Sequence, residues 1–214
     1  PDLPIAHGYG RPYNYIELPD EDGLFELRDV PHGTLTQEFY KSKISDNWEK
    51  LIVYLPPCVP SAGLPVLYLQ HGFGESEISW STTGKVNILM DNLIAAGKIK
   101  PFAIVMGNGM VKQRIDGELK LNRALYGQML VEEILPMIEK KYQFGGSKEK
   151  RGMAGLSMDS VQTTRTICAH PELFSEVGIF SGFLRDRIVG DEEHDGIVPK
   201  SGGQSYLKAM DDAA

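Results

Sequence analysis

The pentapeptide Gly155-Leu156-Ser157-Met158-Asp159 places a serine between a short apolar run, residues 150–154, and a helix-like stretch, residues 158–170. A serine on a strained strand-to-helix turn presents its Oγ above a sheet edge. There it can attack a carbonyl carbon if a histidine takes its proton and a carboxylate holds that histidine. The small residue that ordinarily ends this elbow is replaced by Asp159. A carboxylate in a first helical turn satisfies N–H groups and the helix dipole by about 0.3–1 kcal/mol, so Asp159 is expected to cap the helix with its side chain toward solvent. The opposing expectation is that a charge beside a developing oxyanion impairs the site.

Acid and base are not identified from the residues. Only 57 residues follow Ser157; among them His194 is preceded by Asp186 and Asp191, so the order Ser, Asp, His is formally available. His194 nevertheless sits in the charged, glycine-bearing stretch 183–204, which argues against it as the base. His71 ends an apolar run beside glycine and is expected to anchor its loop by hydrogen bonding; His170, before Pro171, suits a helix C-terminus. Trp80 and Asn108 follow expected strand ends, where ligands of open α/β sheets bind, and are candidate substrate contacts. Trp80 could equally pack its own loop.

Hydrophobic periodicity supplies the frame for these residues. Residues 34–40 and 48–55 read as two strands about the turn Ser45-Asp46-Asn47, with Leu51, Val53 and Leu55 on one face. Residues 65–70 form a short apolar run suited to a strand buried on both faces, 102–106 form another fully apolar strand, and 150–154 and 177–180 read as two further strands. Between them, residues 85–99 and 121–142 carry helical spacing, the second with a bend at Pro136 and a solvated charged face of Glu132, Glu133, Glu139, Lys140 and Lys141. Alternating strands and helices predict an α/β fold with a mostly parallel central sheet and antiparallel N-terminal strands. Residues 1–30 lack periodicity and read as an extended lead-in or interdomain linker on the surface; residues 31–214 read as the domain.

Composition narrows the chemistry. With 42% hydrophobic and 24% charged residues, the 214-residue chain is ordinary for one globular domain. A net charge of −7 argues against nucleic acid or an anionic membrane as partner and favours an uncharged substrate. No run approaches the roughly 20 apolar residues of a membrane span. Cys58 and Cys168 read as free thiols, and the five histidines show no metal-binding spacing, so no catalytic metal and no cofactor are expected. The start at Pro1 reads as a piece of a longer protein.

Taken together, Val30-Pro31-His32-Gly33, Val53-Tyr54-Leu55-Pro56-Pro57, Pro65 through Gly72 with Trp80 downstream, Asp91-Asn92-Leu93 and Gly155-Leu156-Ser157-Met158 resemble the esterase-D-like α/β-hydrolases. Within them the likeness is to carbohydrate esterase family one, which contains feruloyl and acetylxylan esterases. It covers about residues 28–182. The resemblance implies an α/β-hydrolase fold, Ser157 as the acylated nucleophile, and backbone N–H groups of Phe73 and Met158 as the oxyanion hole. It also implies feruloylated or acetylated polysaccharide as the substrate, with feruloyl removal ahead of acetyl, a secreted or periplasmic location, and an N-terminal carbohydrate-binding module in the full-length protein. The family usually continues with glycines where this chain has Asp159-Ser160. Two strands that would carry the acid and histidine loops are not evident, so the domain reads as truncated after the sixth strand region. The reading from another class is a catalytically impaired or dead esterase-like module that binds carbohydrate or another ligand.

Overall fold

Residues 66–70 and 103–107 are apolar on both sides, which suits strands covered on two faces, and they lie at the middle of a six-stranded sheet. The computed structural model describes residues 3–182. Its strands are β1 (Ile5–Gly8), β2 (Arg11–Asn14), β3 (Thr34–Lys41), β4 (Trp48–Leu55), β5 (Val66–Gln70), β6 (Ala103–Gly107), β7 (Lys112–Ile115), β8 (Glu118–Leu121), β9 (Arg151–Leu156) and β10 (Glu176–Phe180). The central sheet has the order β10-β9-β5-β6-β4-β3, parallel from β10 to β6 and antiparallel at β4 and β3.

Alternation along β4 divides the core. Leu51 and Val53 face one side with Tyr68, Val105 and Met153, beneath Leu130, Ile134 and Ile138. Ile52 and Tyr54 face the other with Leu69, Ile104 and Met106, against Val86 and Met90 of α2 (Val86–Ala95). Helices thus cover both faces, as the expected fold requires. α1 (Ser79–Thr82) precedes α2, and α5 (Met158–Ala169) follows β9 directly.

The stretch expected as one helix over residues 121–142 is divided. Leu121 ends the β7–β8 hairpin, and the helical part runs through α3 (Tyr126–Met129), a π-helical turn Leu130–Ile134 and α4 (Leu135–Tyr142). Pro136 has no N–H to return to the preceding turn, and the backbone widens ahead of it. Four of the five charges of its polar face do more than meet water: Lys141 pairs with Glu38 at 2.7 Å, Glu132 accepts Gln128 Nε2 at 3.1 Å, and Glu139 and Glu133 are tied further in. Glu139 accepts bonds from Arg151 Nε at 2.6 Å and Nη2 at 2.7 Å, from Tyr68 Oη at 3.1 Å and from Gly146 N–H at 2.9 Å. Glu133 accepts the N–H groups of Lys43 and Ile44 at 2.8 and 3.3 Å.

The lead-in also differs from expectation. β1 and β2 form an antiparallel hairpin around Tyr9 and Gly10, whose φ values of 51° and 72° belong to a tight two-residue turn. Further along, Asn92 Nδ2 donates to the carbonyls of Leu24 at 2.8 Å and Glu26 at 2.9 Å. Bonds to its backbone, the Lys85–Glu17 ion pair and the buried Ala6, Gly8 and Gly23 hold this segment down where a periodic apolar face does not.

Candidate functional site

β5 and β9 run parallel in register, with Leu69 opposite Ala154 and Gln70 opposite Gly155, so the segments that follow them emerge side by side. After β9 comes Ser157, at φ 53° and ψ −110°, in front of the first residue of α5. For a residue with a β-carbon that conformation costs on the order of 1–3 kcal/mol and persists only where its surroundings enforce it. They do so from both sides. Ser157 N–H donates to Phe180 O at 2.9 Å, while Ser157 O accepts Ser160 N–H at 3.1 Å and Ser160 Oγ at 2.5 Å. The serine that replaces a family glycine thus secures the elbow. Gly155 allows α5 to close on β9: a β-carbon there would lie 2.2 Å from Asp159 O and 2.5 Å from Thr163 Oγ1.

After β5 comes the loop His71-Gly72-Phe73-Gly74-Glu75. Gly72 N–H donates to Glu75 Oε2 at 2.8 Å, His71 Nδ1 donates to Gly72 O at 2.8 Å, and Phe73 O accepts Tyr9 N–H at 3.0 Å. Gly72 also lies against Leu156, next to the elbow. The hairpin tip rests directly on this loop, since a β-carbon on Gly74 would lie 2.1 Å from Gly10 N and 2.5 Å from Tyr9 N, at a φ of 76°. The Arg123 guanidinium stands 5.4 Å from the Phe73 ring centre. Among the described residues, no acceptor takes the Phe73 N–H. Met158, the first residue of its helix, has no intrahelical acceptor for its own. These are the two donors the resemblance assigns to an oxyanion hole, and both leave the ends of adjacent parallel strands.

His71 is 1% exposed and is not free to act as a base. Its Nδ1 proton goes to Gly72, and its Nε2 lone pair receives Gly109 N–H at 3.1 Å, beside Asn108 Oδ1 at 3.3 Å. Burial holds the ring's pKa below the usual histidine value. His71 therefore ties the β5 loop to the loop after β6, the anchoring expected of it. His170 lies beyond the far end of α5, 3.4 Å from Glu172. The one histidine considered as a base, His194, lies outside the described residues, as do Asp186 and Asp191.

Asp159 departs from its expected role. It is fully buried, both carboxyl oxygens lack a hydrogen-bond partner, and it lies against Gly109 with Oδ2 3.8 Å from His71 Nδ1. The helix packs this residue inward between the β5 and β6 loops, so it cannot turn out to cap its own N-terminus. Burial, reinforced by Glu75 and opposed by Arg123, pushes its pKa well above the ordinary carboxylate range.

The two candidate substrate contacts separate. Trp80 donates its indole N–H to Gln70 O at 2.9 Å, packs against the core and meets the Phe180 ring at 6.0 Å; it braces the loop. Asn108 sits at the carboxyl end of β6, with Nδ2 3.4 Å from Glu77 Oε2 and Oδ1 accepting Met110 N–H at 2.9 Å. Among the described residues, neither Cys58 nor Cys168 is in a disulfide. Among the described residues, no group of three His, Cys, Asp or Glu side chains could hold a metal ion, and no helix is long and apolar enough to cross a membrane.

Comparison with known proteins agrees with this geometry. The family model Esterase matches residues 42–205. An endo-1,4-beta-xylanase/feruloyl esterase of Xylanibacter ruminicola is 38% identical over 176 residues; the match takes in 78% of this chain and 24% of that protein, so the chain spans about a quarter of its curated relative. Among solved structures, a ferulic acid esterase superposes with a TM-score of 0.60 at 29% identity, over 68% of this chain and 59% of the other. A ferulic acid esterase of Anaeromyces mucronatus, in complex with ferulic acid, gives 0.64 at 20% identity over 72% and 60%, a likeness of fold. With an elbow serine, a β5 loop beside it and a family model over most of its length, this chain belongs to the Esterase family of α/β-hydrolases, as its resemblance to carbohydrate esterase family one implies.

Proposed function

We propose that the chain is a serine carboxylesterase that removes feruloyl groups, and secondarily acetyl groups, from plant cell-wall polysaccharide through an acyl-enzyme on Ser157. The observation that carries this reading is the strained Ser157 at the head of α5, next to two peptide N–H groups, Phe73 and Met158, that no described acceptor occupies. Ser157 Oγ attacks the ester carbonyl carbon as a histidine base takes its proton. The carbonyl oxygen gains negative charge between the two N–H donors, and the sugar hydroxyl leaves with the proton. Water then attacks the acyl-enzyme, releasing the acid and restoring the serine. Each oxyanion donor is worth about 3–4 kcal/mol of barrier.

The feruloyl preference rests on the names of the xylanase/feruloyl esterase and the ferulic acid esterases this chain resembles. A carbohydrate-binding module elsewhere in the full-length protein fits a relative whose name joins two activities, and a polymeric substrate supports a secreted or periplasmic location. The second reading, an impaired or dead binding module, rests on the acid and base that the residues do not identify, with Asp159 as a charge beside the oxyanion a further objection. Burial favours the neutral form of that carboxyl, which weakens the objection to catalysis.

The test is turnover of methyl ferulate and 4-nitrophenyl acetate by the full chain and by Ser157→Ala. Faster turnover of the ferulate, lost in the variant, is the expected result. A folded chain that binds xylo-oligosaccharide and turns over neither ester would favour the binding module.

A further inference from the structure

Beside the oxyanion loop, at the carboxyl end of β6, opens a cavity of about 320 Å³ that the acyl-transfer steps do not use. Four separate segments wall it: Gly10 at the hairpin tip, Trp48 and Lys50 at the start of β4, Glu75 in the β5 loop, and Asn108 and Lys112 after β6. β4 runs antiparallel to β6, with Leu51 opposite Gly107, which brings its first residues to the same sheet edge as Ser157.

Trp48 is the residue without another explanation. It is 66% exposed and belongs to neither core cluster, whereas Trp80 has its indole N–H bonded and its ring packed. A large apolar ring left in water on the wall of a cavity at the ligand-binding edge suggests a contact surface. The polar groups around it are fixed and of both signs. Lys50 Nζ lies 2.9 Å from Glu77 Oε1, Asn108 is held between Glu77 and Met110 N–H, and Glu75 is bonded to Gly72 N–H. Opposed charges give no strong field for an ion. A flat apolar face with hydrogen-bonding groups at its margin matches a neutral, hydroxyl-rich ring instead.

We propose that this cavity seats the sugar that carries the ester, with the ring's C–H face on Trp48 and its hydroxyls on Asn108 and neighbouring side chains. The inference rests on the esterase reading above and adds where the polysaccharide lies. The other aromatic-seeking occupant, the feruloyl ring itself, is an outcome of the test.

The experiment measures kcat/KM for a feruloylated xylo-oligosaccharide and for methyl ferulate, in the full chain and in Trp48→Ala. Calorimetric binding of the unesterified oligosaccharide to both proteins is measured in parallel. The ratio of the two kcat/KM values should fall about tenfold in the variant, and the affinity for the unesterified sugar by a similar factor. An unchanged ratio would overturn the proposal. So would equal losses on both esters, which would assign the cavity to the acyl group. If the intact chain hydrolyses neither ester, the esterase reading fails, while calorimetry still decides the cavity: binding lost in Trp48→Ala supports it, and binding absent from the intact chain or unaltered in the variant refutes it. Because Trp48 is exposed, the variant should melt as the parent does; Asn108→Ala gives an independent check on the hydroxyl contacts.

Discussion

Two histidine and aspartate pairs sit at opposite edges of the central sheet. At the edge away from Ser157, His32 Nδ1 is 2.9 Å from Asp91 Oδ2, and the same carboxylate takes Tyr54 Oη at 2.6 Å and Gly33 N–H at 3.0 Å. His32 Nε2 is also engaged, by Arg28 O at 3.0 Å. At the elbow edge, His71 and Asp159 are both buried, 3.8 Å apart, and the carboxyl has no hydrogen bond at all. The better-formed pair is the one that resembles part of a triad, yet Tyr54 lies opposite Ile104, at the start of β6, far along the strands from the elbow. It fastens residues 28–33 to α2. The poorer pair lies where strands end and chemistry is possible. Good hydrogen bonding in the first pair marks a staple, while the unsatisfied Asp159 stands beside the strained Ser157, as expected where structure is held for function rather than stability.

Several substitutions would break or sharpen that contrast. Ser157→Ala should lower ester turnover at least about a thousandfold with the fold intact, by steady-state kinetics beside circular dichroism; a smaller loss would remove the elbow from the chemistry. Gly74→Ala drives a methyl group into the backbone of Tyr9 and Gly10 and should shift the Phe73 peptide, costing about tenfold or more in kcat with KM little altered. A change in KM alone would mean that the hairpin tip touches substrate but does not set the oxyanion loop.

At the other edge the readout moves from rate to stability. Asp91→Ala leaves Tyr54 Oη and Gly33 N–H without their acceptor and should cost about 2–3 kcal/mol in urea unfolding, with kcat unchanged in the folded protein. A loss of kcat would erase the distinction between the edges. Asp159→Asn is the smallest expected effect. Because burial raises the folded pKa of Asp159 above its unfolded value, stability is fully present below the unfolded pKa and lost as pH rises through the folded one. The amide should therefore gain about 1 kcal/mol at pH 7, the gain shrinking toward pH 4; thermal melts at both pH values would detect it, and a uniform loss would contradict it.

The sheet was readable from sequence because its strands are short apolar runs, and the expected bounds of β4 match those observed. The elbow was readable because a serine in that pattern has a strand before it and a helix behind it. Two features escaped. The β1–β2 and β7–β8 hairpins are held by backbone pairing on mostly exposed residues, so no apolar period announces them, although Asp116-Gly117 is a turn pair that could have marked the second. The inward turn of Asp159 depends on the helix-to-strand approach at Gly155 and on the loop after β6, contacts that local capping rules do not include. Trp80 and Trp48 show the same limit: the ring in the segment after β5 is packed and its indole N–H bonded, while the one at the start of β4 is left exposed, a difference that sequence position does not carry.

The central claim is that Ser157 is an activated nucleophile, and covalent labelling of the full chain with a fluorophosphonate, followed by peptide mass spectrometry, tests it most directly. A single adduct on the peptide containing Ser157, absent from Ser157→Ala, is the predicted result. A folded chain that takes up no label, or takes it up at another serine, would contradict it.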